Sequence, residues 1–546
     1  MDAKDQPVAQ PERWVGTAVL RLTGAVLVLV VALVLVKPAD PNIAYNRALV
    51  LVGLAASLLV AVAGNLLAAR WRRRPTRLPS QRGGRPWNTP HGATVLAAGL
   101  ALAGGVAGHL MSLPLRFTYG WDAGVATRFS RELFTQDLFS AYAHDYLSRY
   151  PNNLPLIAIM NTARAVGGPT DAQMYDTYLR LNGVCLALVL FSTFVLVRRV
   201  RGTAAAFVAQ AIVFLLVGCS PWMAVPYTDI PAMPFVGGAV TLGVLAAGRR
   251  SRFRLAWVVL ALVCAGLGFV IKSTPATTAI ALALVLLVVL VAGSAPGRRR
   301  VAVALLCAVA AFGLTVQGAL AIAGTVSGVD RASLQTDRTP PVAWWLANGL
   351  TTTYGSAPRP YYGAYSPQMV KESINLSGER LHEWSRDRLR RQLDQMGPGG
   401  VLTFELRKLA FNWGDGMFFA WGAFDWQPER LHEHDPTALK VQSWQHARGE
   451  HYPLRSALTT GAWLALVLWA GAGLLRAAYR RELLVVAATV LGIGLFTLVF
   501  QGGSRYLFAY VPVVVALAAC VNPLRGSART ATPSLEAAKA VSTVRA

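Results

Sequence analysis

The stretch RLAWVVLALVCAGLGFVIKSTPATTAIALALVLLVVLVAG, residues 254–293, decides the fold. It consists of two apolar blocks, 254–271 and 276–293, joined by a short turn in which Lys272 is the one charge after Arg254. Each block is close to the length of about 20 residues that a helix needs to cross a bilayer. A long helix in a soluble protein would show amphipathic periodicity instead. The stretch therefore predicts two transmembrane helices joined by a tight turn.

The same pattern continues through the chain, of which 54% is hydrophobic and only 14% charged. Soluble domains carry about 25% charged residues, so the polar surface would be too small for a water-soluble protein. We predict an all-α integral membrane protein with about 12 transmembrane helices. The predicted spans are residues 17–36, 48–69, 93–113, 180–197, 204–222, 232–248, 254–271, 276–293, 301–325, 457–475, 482–500 and 506–521.

The basic residues predict the orientation of these spans. The net charge is +25, which in a soluble protein would suggest nucleic acid. Here, however, the Arg runs follow the even-numbered spans, and the opposite short connections hold only Lys37, Arg47, Lys272 and Arg505. We predict a multi-pass protein of the cell membrane. The positive-inside rule places its Arg-rich side, and with it both termini, in the cytoplasm. We expect these cations to meet anionic lipid and expect no nucleic-acid partner.

Two long connections, 114–179 and 326–456, then fall on the outer side. Within 123–149, Phe134, Leu138, Tyr142 and Tyr146 recur every four residues, which predicts an amphipathic helix lying in the membrane interface. Residues 154–166 are apolar but short, and whether they cross the membrane stays open. Residues 326–456 predict a small outer cap that is partly helical around 366–396.

The chain thus divides into five segments. They are 1–92 (an N-terminal cytoplasmic segment, two spans and a basic cytoplasmic loop), 93–325 (a transmembrane core with outer loop 114–179), 326–456 (the extracytoplasmic cap), 457–521 (C-terminal spans) and 522–546 (a disordered cytoplasmic tail).

Four isolated ionisable residues lie at the outer ends of spans, where charges are costly and are often functional. Asp122 could act as a general base or hold a metal. Asp229 could likewise be functional, but each of the two residues also suits a helix N-cap. Lys272 could bind a lipid phosphate or extend its ammonium to the interface. Arg505 could contact a phosphate or anchor to lipid headgroups.

Several short segments, taken in order, resemble the GT-C superfamily of membrane glycosyltransferases, in particular the bacterial relatives of protein mannosyltransferases. They are Asp122 at the start of an outer loop, RYPNNLP (149–155), YTD (227–229), KSTP (272–275), WWLANGL (344–350), GAYS (363–366) and GSRYLF (503–508). Residues 93–521 carry the likeness. The chain departs from the pattern in its two additional N-terminal spans and in Ala123, which follows Asp122 where the mannosyltransferases have a second acidic residue.

This resemblance implies a hexosyl- or pentosyltransferase that moves a sugar from a polyprenyl-phosphate donor to an acceptor hydroxyl of a glycan, lipid or protein at the outer face, with inversion. Asp122 would be the catalytic base, Asp229 would orient the acceptor or a metal, and Lys272 and Arg505 would bind phosphate. The residues expected to line the donor or acceptor pocket are Trp121, Tyr150, Asn152, Asn153, Tyr227, Thr274 and Tyr506. The resemblance leaves the cofactor open, a divalent cation being one option.

A transporter or flippase of a lipid-linked saccharide is the alternative function. Such a protein should show internal repeats and polar or broken helices near the bilayer midplane. The predicted spans consist mostly of Ala, Leu and Val, and their polar residues collect at the outer ends. The enzyme hypothesis expects the four charged residues to converge, whereas scattered positions would argue against it.

Overall fold

The computed structural model describes residues 10–39, 42, 45–73, 89–136, 138–248, 253–292, 295–355, 359–423 and 430–524. This part of the chain is mainly helical, and its paired strands are the two-residue segments β1 (Thr352–Thr353) and β2 (Tyr361–Tyr362). Much of the predicted basic loop (74–88) and most of the predicted tail (525–546) lie outside the described residues.

The described part of the chain forms 21 α-helices. They are α1 (Gln10–Val36), α2 (Arg47–Arg73), α3 (Pro90–Ser112), α4 (Asp122–Thr135), α5 (Ala141–Arg149), α6 (Leu154–Gly167), α7 (Asp171–Val200), α8 (Thr203–Val213), α9 (Asp229–Ala247), α10 (Arg254–Ile271), α11 (Ala276–Ala292), α12 (Ala295–Ser327), α13 (Val342–Gly349), α14 (Pro367–Ser373), α15 (Gly378–Trp413), α16 (Ala420–Ala423), α17 (Pro436–Gln445), α18 (Tyr452–Arg476), α19 (Arg481–Val499), α20 (Ser504–Phe508) and α21 (Val511–Cys520).

Nine helices in the described part are long and apolar enough to cross a membrane, namely α1, α2, α3, α7, α9, α10, α12, α18 and α19. Shorter apolar helices stand at the three remaining predicted spans: α8 with its continuation to Gly218, α11 and α21. At about 1.5 Å per residue, a ten-residue helix such as α21 is only about 15 Å long. The all-α membrane architecture is confirmed, and the count of twelve spans stays a prediction.

Local backbone chemistry explains two of the shorter helices. The predicted span 506–521 is divided into α20 and α21 by the turn before Pro512, which lies in the first turn of α21. Proline lacks an N–H, so it suits the start of a helix and not its interior. After α8 the chain continues as a π-helical turn to Gly218 and then meets Pro221, which ends the segment.

Glycines allow pairs of the long helices to pack closely. A Cβ on Gly105 of α3 would lie 2.5 Å from the carbonyl oxygen of Gly183 in α7. In the same way, a Cβ on Gly24 of α1 would lie 2.9 Å from the carbonyl oxygen of Gly471 in α18. Small residues at such crossings bring helix backbones together, which favours association in lipid. The first helix is therefore part of the bundle.

The first long loop differs from the single amphipathic helix predicted over 123–149. It forms two helices, α4 and α5, because Gln136 ends the first and the Ser140 side chain caps the second by accepting from the Ala143 N–H. The Glu132 carboxylate accepts from the Ser140 hydroxyl across the break, 2.8 Å away. Of the predicted stripe, Phe134, Leu138 and Tyr142 are exposed, whereas Tyr146 is half-buried and faces polar partners.

Helix α6 resolves the open question about residues 154–166. It has 14 residues and would extend about 21 Å, which is less than the hydrocarbon thickness. Most of its residues are buried, and with α4, α5 and α7 they form a second apolar core around Phe129 and Tyr178. The helix therefore packs against α4 and α5 of the first long loop and is too short to cross a membrane.

The segment predicted as a cap has a small core of its own around Trp344, Met369 and Leu381. Helix α15 bends at Gly397, whose φ of 58° lies in the left-handed region. Beyond the bend, the second half of α15 ends in the main core of the bundle, where Trp413 stacks on Trp463 of α18 with ring centroids 5.9 Å apart. Helix α15 thus joins the segment predicted as a cap to the main core of the bundle.

An ion pair marks the end of the bundle at which α19 begins. Arg481 donates to the buried Glu12 carboxylate through Nε at 2.5 Å and Nη2 at 2.6 Å. The Tyr479 hydroxyl donates to the same group at 2.7 Å. Helix α19 runs from this end over about 29 Å to Val499, close to the site described next.

Candidate active site

The centre of the site is a carboxylate shared by two cations. Asp229 lies in the first turn of α9, and its Oδ1 forms an ion pair with Lys272, which follows α10. Its Oδ2 accepts from Arg505 of α20, with distances of 3.1 Å to Nε and 2.9 Å to Nη2. The exposed fractions of the three side chains are 2% for Asp229, 9% for Lys272 and 23% for Arg505. The cluster therefore carries one surplus positive charge, and its most accessible side chain is that of Arg505.

Aromatic rings surround the Arg505 guanidinium. Its Cζ lies 4.6 Å from the ring centroid of Trp121, 4.8 Å from Trp222 and 4.4 Å from Tyr227. Rings at such distances stabilise a cation through their negative faces and exclude water. Burial lowers the pKa of Arg505, but the Asp229 carboxylate more than offsets this and leaves the pKa raised. The guanidinium is therefore a permanent charge held in a fixed orientation.

Asp122 is the exposed carboxylate of the site, at the first position of α4. Its Oδ1 accepts from the Tyr146 hydroxyl at 2.9 Å, and its Oδ2 accepts from the Tyr227 hydroxyl at 3.3 Å. The Tyr146 oxygen in turn accepts from Asn153 Nδ2 at 2.7 Å. Burial and the Asp122 charge raise the pKa of Tyr146, so its hydroxyl stays protonated and donates. These contacts hold the carboxylate in one orientation.

Tyr227 connects the two halves of the site. Its hydroxyl donates to Asp122, while its ring faces the Arg505 guanidinium. The structure thus brings together the four charged residues at one end of the bundle, although Asp229 and Arg505 are 276 positions apart in the chain. The Asp122 carboxylate accepts from two tyrosine hydroxyls and the Asp229 carboxylate from two cations, which are not the contacts of a helix N-cap.

The residues predicted to line the pocket occupy the same region. Trp121 and Tyr227 face Arg505, and the Tyr506 ring centroid lies 5.5 Å from Lys272 Nζ. The Thr274 hydroxyl, two residues after Lys272, is buried and makes no hydrogen bond to the described residues.

The other predicted pocket residues lie one contact further out. The Tyr150 ring is 5.3 Å from the Tyr146 ring, and Asn153 bonds the Tyr146 hydroxyl. Asn152 is exposed and donates to Asn153 Oδ1 at 3.4 Å. These residues follow α5 directly, which places them beside Asp122.

The interpretation of the sequence missed several contributors. Tyr146 was assigned to an apolar stripe, although its hydroxyl contacts Asp122. Trp222 was placed at the end of a span, and Asp415 was not identified although its carboxylate accepts from Ser504, the neighbour of Arg505, at 2.9 Å. A tyrosine within an otherwise apolar stripe, and an aspartate between two glycines, were the available signals.

The donor set offers little to a resident metal. Both Asp229 oxygens are engaged by cations, and no group of three or more His, Cys, Asp or Glu side chains suited to a metal ion occurs among the described residues. What the arrangement can do is bind an anion at Lys272 and Arg505 and accept a proton at Asp122.

Comparisons with known proteins give the following. No curated protein matches the chain. The crystal structure of the Archaeoglobus fulgidus oligosaccharyltransferase tethered to an acceptor peptide is similar at 14% identity and a TM-score of 0.34, over 77% of this chain and 49% of that one. AglB from the same organism, in complex with an inhibitory peptide and a dolichol-phosphate, is similar at 12% identity and a TM-score of 0.33, over 77% and 50%. The chain spans about half the length of these structures.

The comparison with family models gives a longer match. Residues 110–524 match the model of a family described as a conserved hypothetical integral membrane protein. The match includes every charged residue of the site and all helices from α4 to α21. The chain belongs to this family of integral membrane proteins.

Proposed function

We propose that the protein is a GT-C membrane glycosyltransferase that moves a hexose or pentose from a polyprenyl-phosphate donor to an acceptor hydroxyl at the outer membrane face. The observation that carries the proposal is the pairing of an exposed carboxylate, Asp122, with a partly buried cation cluster through the single side chain of Tyr227. Group transfer from a phosphate ester needs a base for the nucleophile and positive charge at the leaving group.

The proposed reaction is a direct displacement. Asp122 takes the proton of the acceptor hydroxyl as the acceptor oxygen bonds to the anomeric carbon. The bond between that carbon and the phosphate oxygen breaks, its electron pair leaves with the polyprenyl phosphate, and the configuration inverts. Lys272 and Arg505 bind the departing phosphate, whose charge grows as the bond breaks. No covalent enzyme intermediate forms.

The cation cluster suits a donor in which a single phosphate group joins the sugar to the lipid. The sugar phosphodiester carries one negative charge, which matches the surplus of one positive charge over Asp229. Asp229 itself acts in this proposal as the counter-ion that keeps two buried cations in place. This role differs from the orientation of an acceptor or metal that the resemblance implied, because both of its oxygens are engaged.

The position of the site favours an enzyme over a transporter. The cluster lies where α9 and α20 begin and α10 ends, and not at the middle of the long helices. A carrier of lipid-linked saccharides would place its polar groups along a path through the bundle. The outer location itself follows from the distribution of arginines and remains part of the proposal.

A transfer assay tests the proposal. Purified protein in liposomes is given a panel of hexosyl and pentosyl polyprenyl phosphates with octyl glycosides as acceptors, and release of polyprenyl phosphate and the glycosylated acceptor are measured. We expect Asp122→Asn to lower kcat by about 10²–10⁴-fold. Asp145→Asn is the matched control and should retain activity, since Asp145 forms an ion pair with Arg338, outside the site.

Two results would refute the assignment. One is a wild-type protein that transfers no sugar from any donor of the panel. The other is an Asp122→Asn variant that transfers sugar as fast as the Asp145→Asn control.

A further inference from the structure

The turn Asp415–Phe419 has a backbone conformation that needs an explanation. Phe418 has a φ of 53° and Phe419 a φ of 65°, and they are the two positive-φ residues other than glycine in the described part of the chain. The left-handed region costs a bulky residue roughly 1–2 kcal/mol. Such strain persists only where surrounding contacts hold it, and it concentrates at functional sites.

Hydrogen bonds to Asp415 hold this turn. Its carboxylate, in a residue only 2% exposed, accepts from the backbone N–H of Met417 at 2.8 Å and of Phe419 at 2.6 Å. The neighbouring Gly416 N–H donates to the Thr460 hydroxyl at 3.1 Å, and a Cβ on Gly416 would lie 2.6 Å from the Thr460 Cα. The turn is therefore fastened to α18, one of the long helices.

The same turn contacts the elements that hold Arg505. Asp415 Oδ2 accepts from the hydroxyl of Ser504, the residue before Arg505, at 2.9 Å. The Phe418 ring packs on Phe508 of α20 with centroids 5.4 Å apart. The Phe418 carbonyl accepts from Trp222 Nε1 at 2.9 Å, and Trp222 is one of the rings around the guanidinium.

We propose that Asp415 is a positioning residue for phosphate binding: through the strained turn it fixes both Ser504 and Trp222, and so sets the place of the Arg505 guanidinium. This inference rests on the proposed function, since it assumes that Arg505 binds the donor phosphate. The left-handed backbone directs the Phe418 carbonyl to the indole and leaves the Asp415 carboxylate facing α20.

The experiment removes the hydrogen bond between the turn and α20 and leaves both elements and the Phe418–Phe508 contact in place. Ser504→Ala deletes the hydroxyl that binds Asp415, and Ser504→Thr retains a hydroxyl. Ser385→Ala is the matched control, because Ser385 is also buried and its side-chain hydrogen bond within the described residues goes to the Leu381 carbonyl of its own helix. Asp415→Asn is the second variant, in which the charge is lost and the size is retained.

The measurements are kcat and KM for a polyprenyl-phosphate sugar, the Kd of undecaprenyl phosphate, and the thermal unfolding midpoint. We expect Ser504→Ala and Asp415→Asn to weaken undecaprenyl phosphate binding and lower kcat by about tenfold each, which corresponds to about 1.4 kcal/mol. Ser504→Thr should recover most of the loss. Ser385→Ala should match the wild type in both kinetic parameters while its midpoint shifts as much as that of Ser504→Ala.

The outcomes separate this inference from the proposed function. If the wild type binds undecaprenyl phosphate and transfers sugar, but Ser504→Ala behaves as Ser385→Ala does, the positioning role is wrong and the proposed function stands. If the wild type neither binds the lipid phosphate nor transfers sugar, the proposed function fails and the positioning role fails with it.

Discussion

Two buried lysines of this protein have opposite surroundings. Lys408 is fully buried, and its ammonium donates to three backbone carbonyls, those of Gly349 at 2.7 Å, Leu498 at 2.5 Å and Phe500 at 2.7 Å. Lys272 makes one hydrogen bond to the described residues, with Asp229, and it shares that carboxylate with Arg505. An ammonium has three N–H donors, so Lys408 has used all of them and Lys272 has used one.

The difference separates a structural cation from one available to a ligand. Lys408 joins α15 to the end of α19 and to the end of α13, and its donors are occupied. Lys272 and Arg505 together exceed the charge of their carboxylate, and both stand beside aromatic rings that would shield a bound anion from water. Each variant below tests whether this contrast is real.

Among the variants that test this contrast, the largest effect should come from Arg505→Gln. Loss of a guanidinium from the leaving group should lower kcat/KM by about 10²–10³-fold, the range measured for removal of one group that stabilises transition-state charge. Transfer from a polyprenyl-phosphate sugar is the measurement. Arg386→Gln, on an exposed ion pair of α15, should leave the rate unchanged; equal losses in the two variants would contradict the role of Arg505.

The direct test of the contrast compares Lys408→Met with Lys272→Met. Lys408→Met leaves three buried carbonyls without a donor and should destabilise the fold by about 2–4 kcal/mol, with an unchanged donor KM in the folded fraction. Lys272→Met should raise the donor KM and lower kcat, with a smaller loss of stability. Thermal unfolding and steady-state kinetics distinguish them, and the contrast breaks if both variants change the same parameter.

The pH dependence of transfer should carry the signature of Lys272. Burial is the main cause that lowers the pKa of this lysine, and the adjacent Arg505 lowers it further, against the opposing effect of Asp229. Because only the protonated amine binds phosphate, activity should fall as the pH rises through this lowered pKa. Lys272→Arg should move the alkaline limb to higher pH, since a guanidinium stays charged. An alkaline limb at the same pH in both proteins would assign it to another group.

The smallest effect should come from Tyr146→Phe. The substitution removes one of two hydroxyls that orient Asp122, which is worth about 1 kcal/mol, and should lower kcat between three- and tenfold with little change in donor KM. Tyr142→Phe is the control, because Tyr142 also packs on the Phe129 ring and its side chain is exposed. A loss confined to donor KM would show that Tyr146 does not act through the Asp122 base.

Much of the fold follows from local patterns. Each predicted span coincides with helical structure, because an apolar block of sufficient length has one low-energy backbone in lipid. The predicted span 276–293 matches α11 closely, but the lengths of α8 and α21 were overestimated, since hydropathy extends through the turns next to Pro221 and Pro512. The division of 123–149 depends on Gln136 and Ser140, whose capping roles compete with a continuous amphipathic pattern.

The charged residues of the site could be nominated from the sequence, but their contacts could not. Asp229 resembles a helix cap in isolation, and only the approach of α10 and α20 reveals that it binds two cations. The turn at Phe418 could not be predicted from the sequence, because bulky residues seldom adopt a positive φ and no local preference indicates it. Tertiary contacts over hundreds of residues decide both.

A structure of the protein with a non-hydrolysable polyprenyl C-phosphonate sugar, determined by cryo-electron microscopy, tests the central claim most directly. We expect the phosphonate within hydrogen-bond distance of both Lys272 and Arg505, with the anomeric carbon of the sugar facing the Asp122 carboxylate. A phosphonate bound at the opposite end of the bundle, near Glu12 and Arg481, or a sugar that leaves Asp122 out of reach of the anomeric carbon, would contradict it.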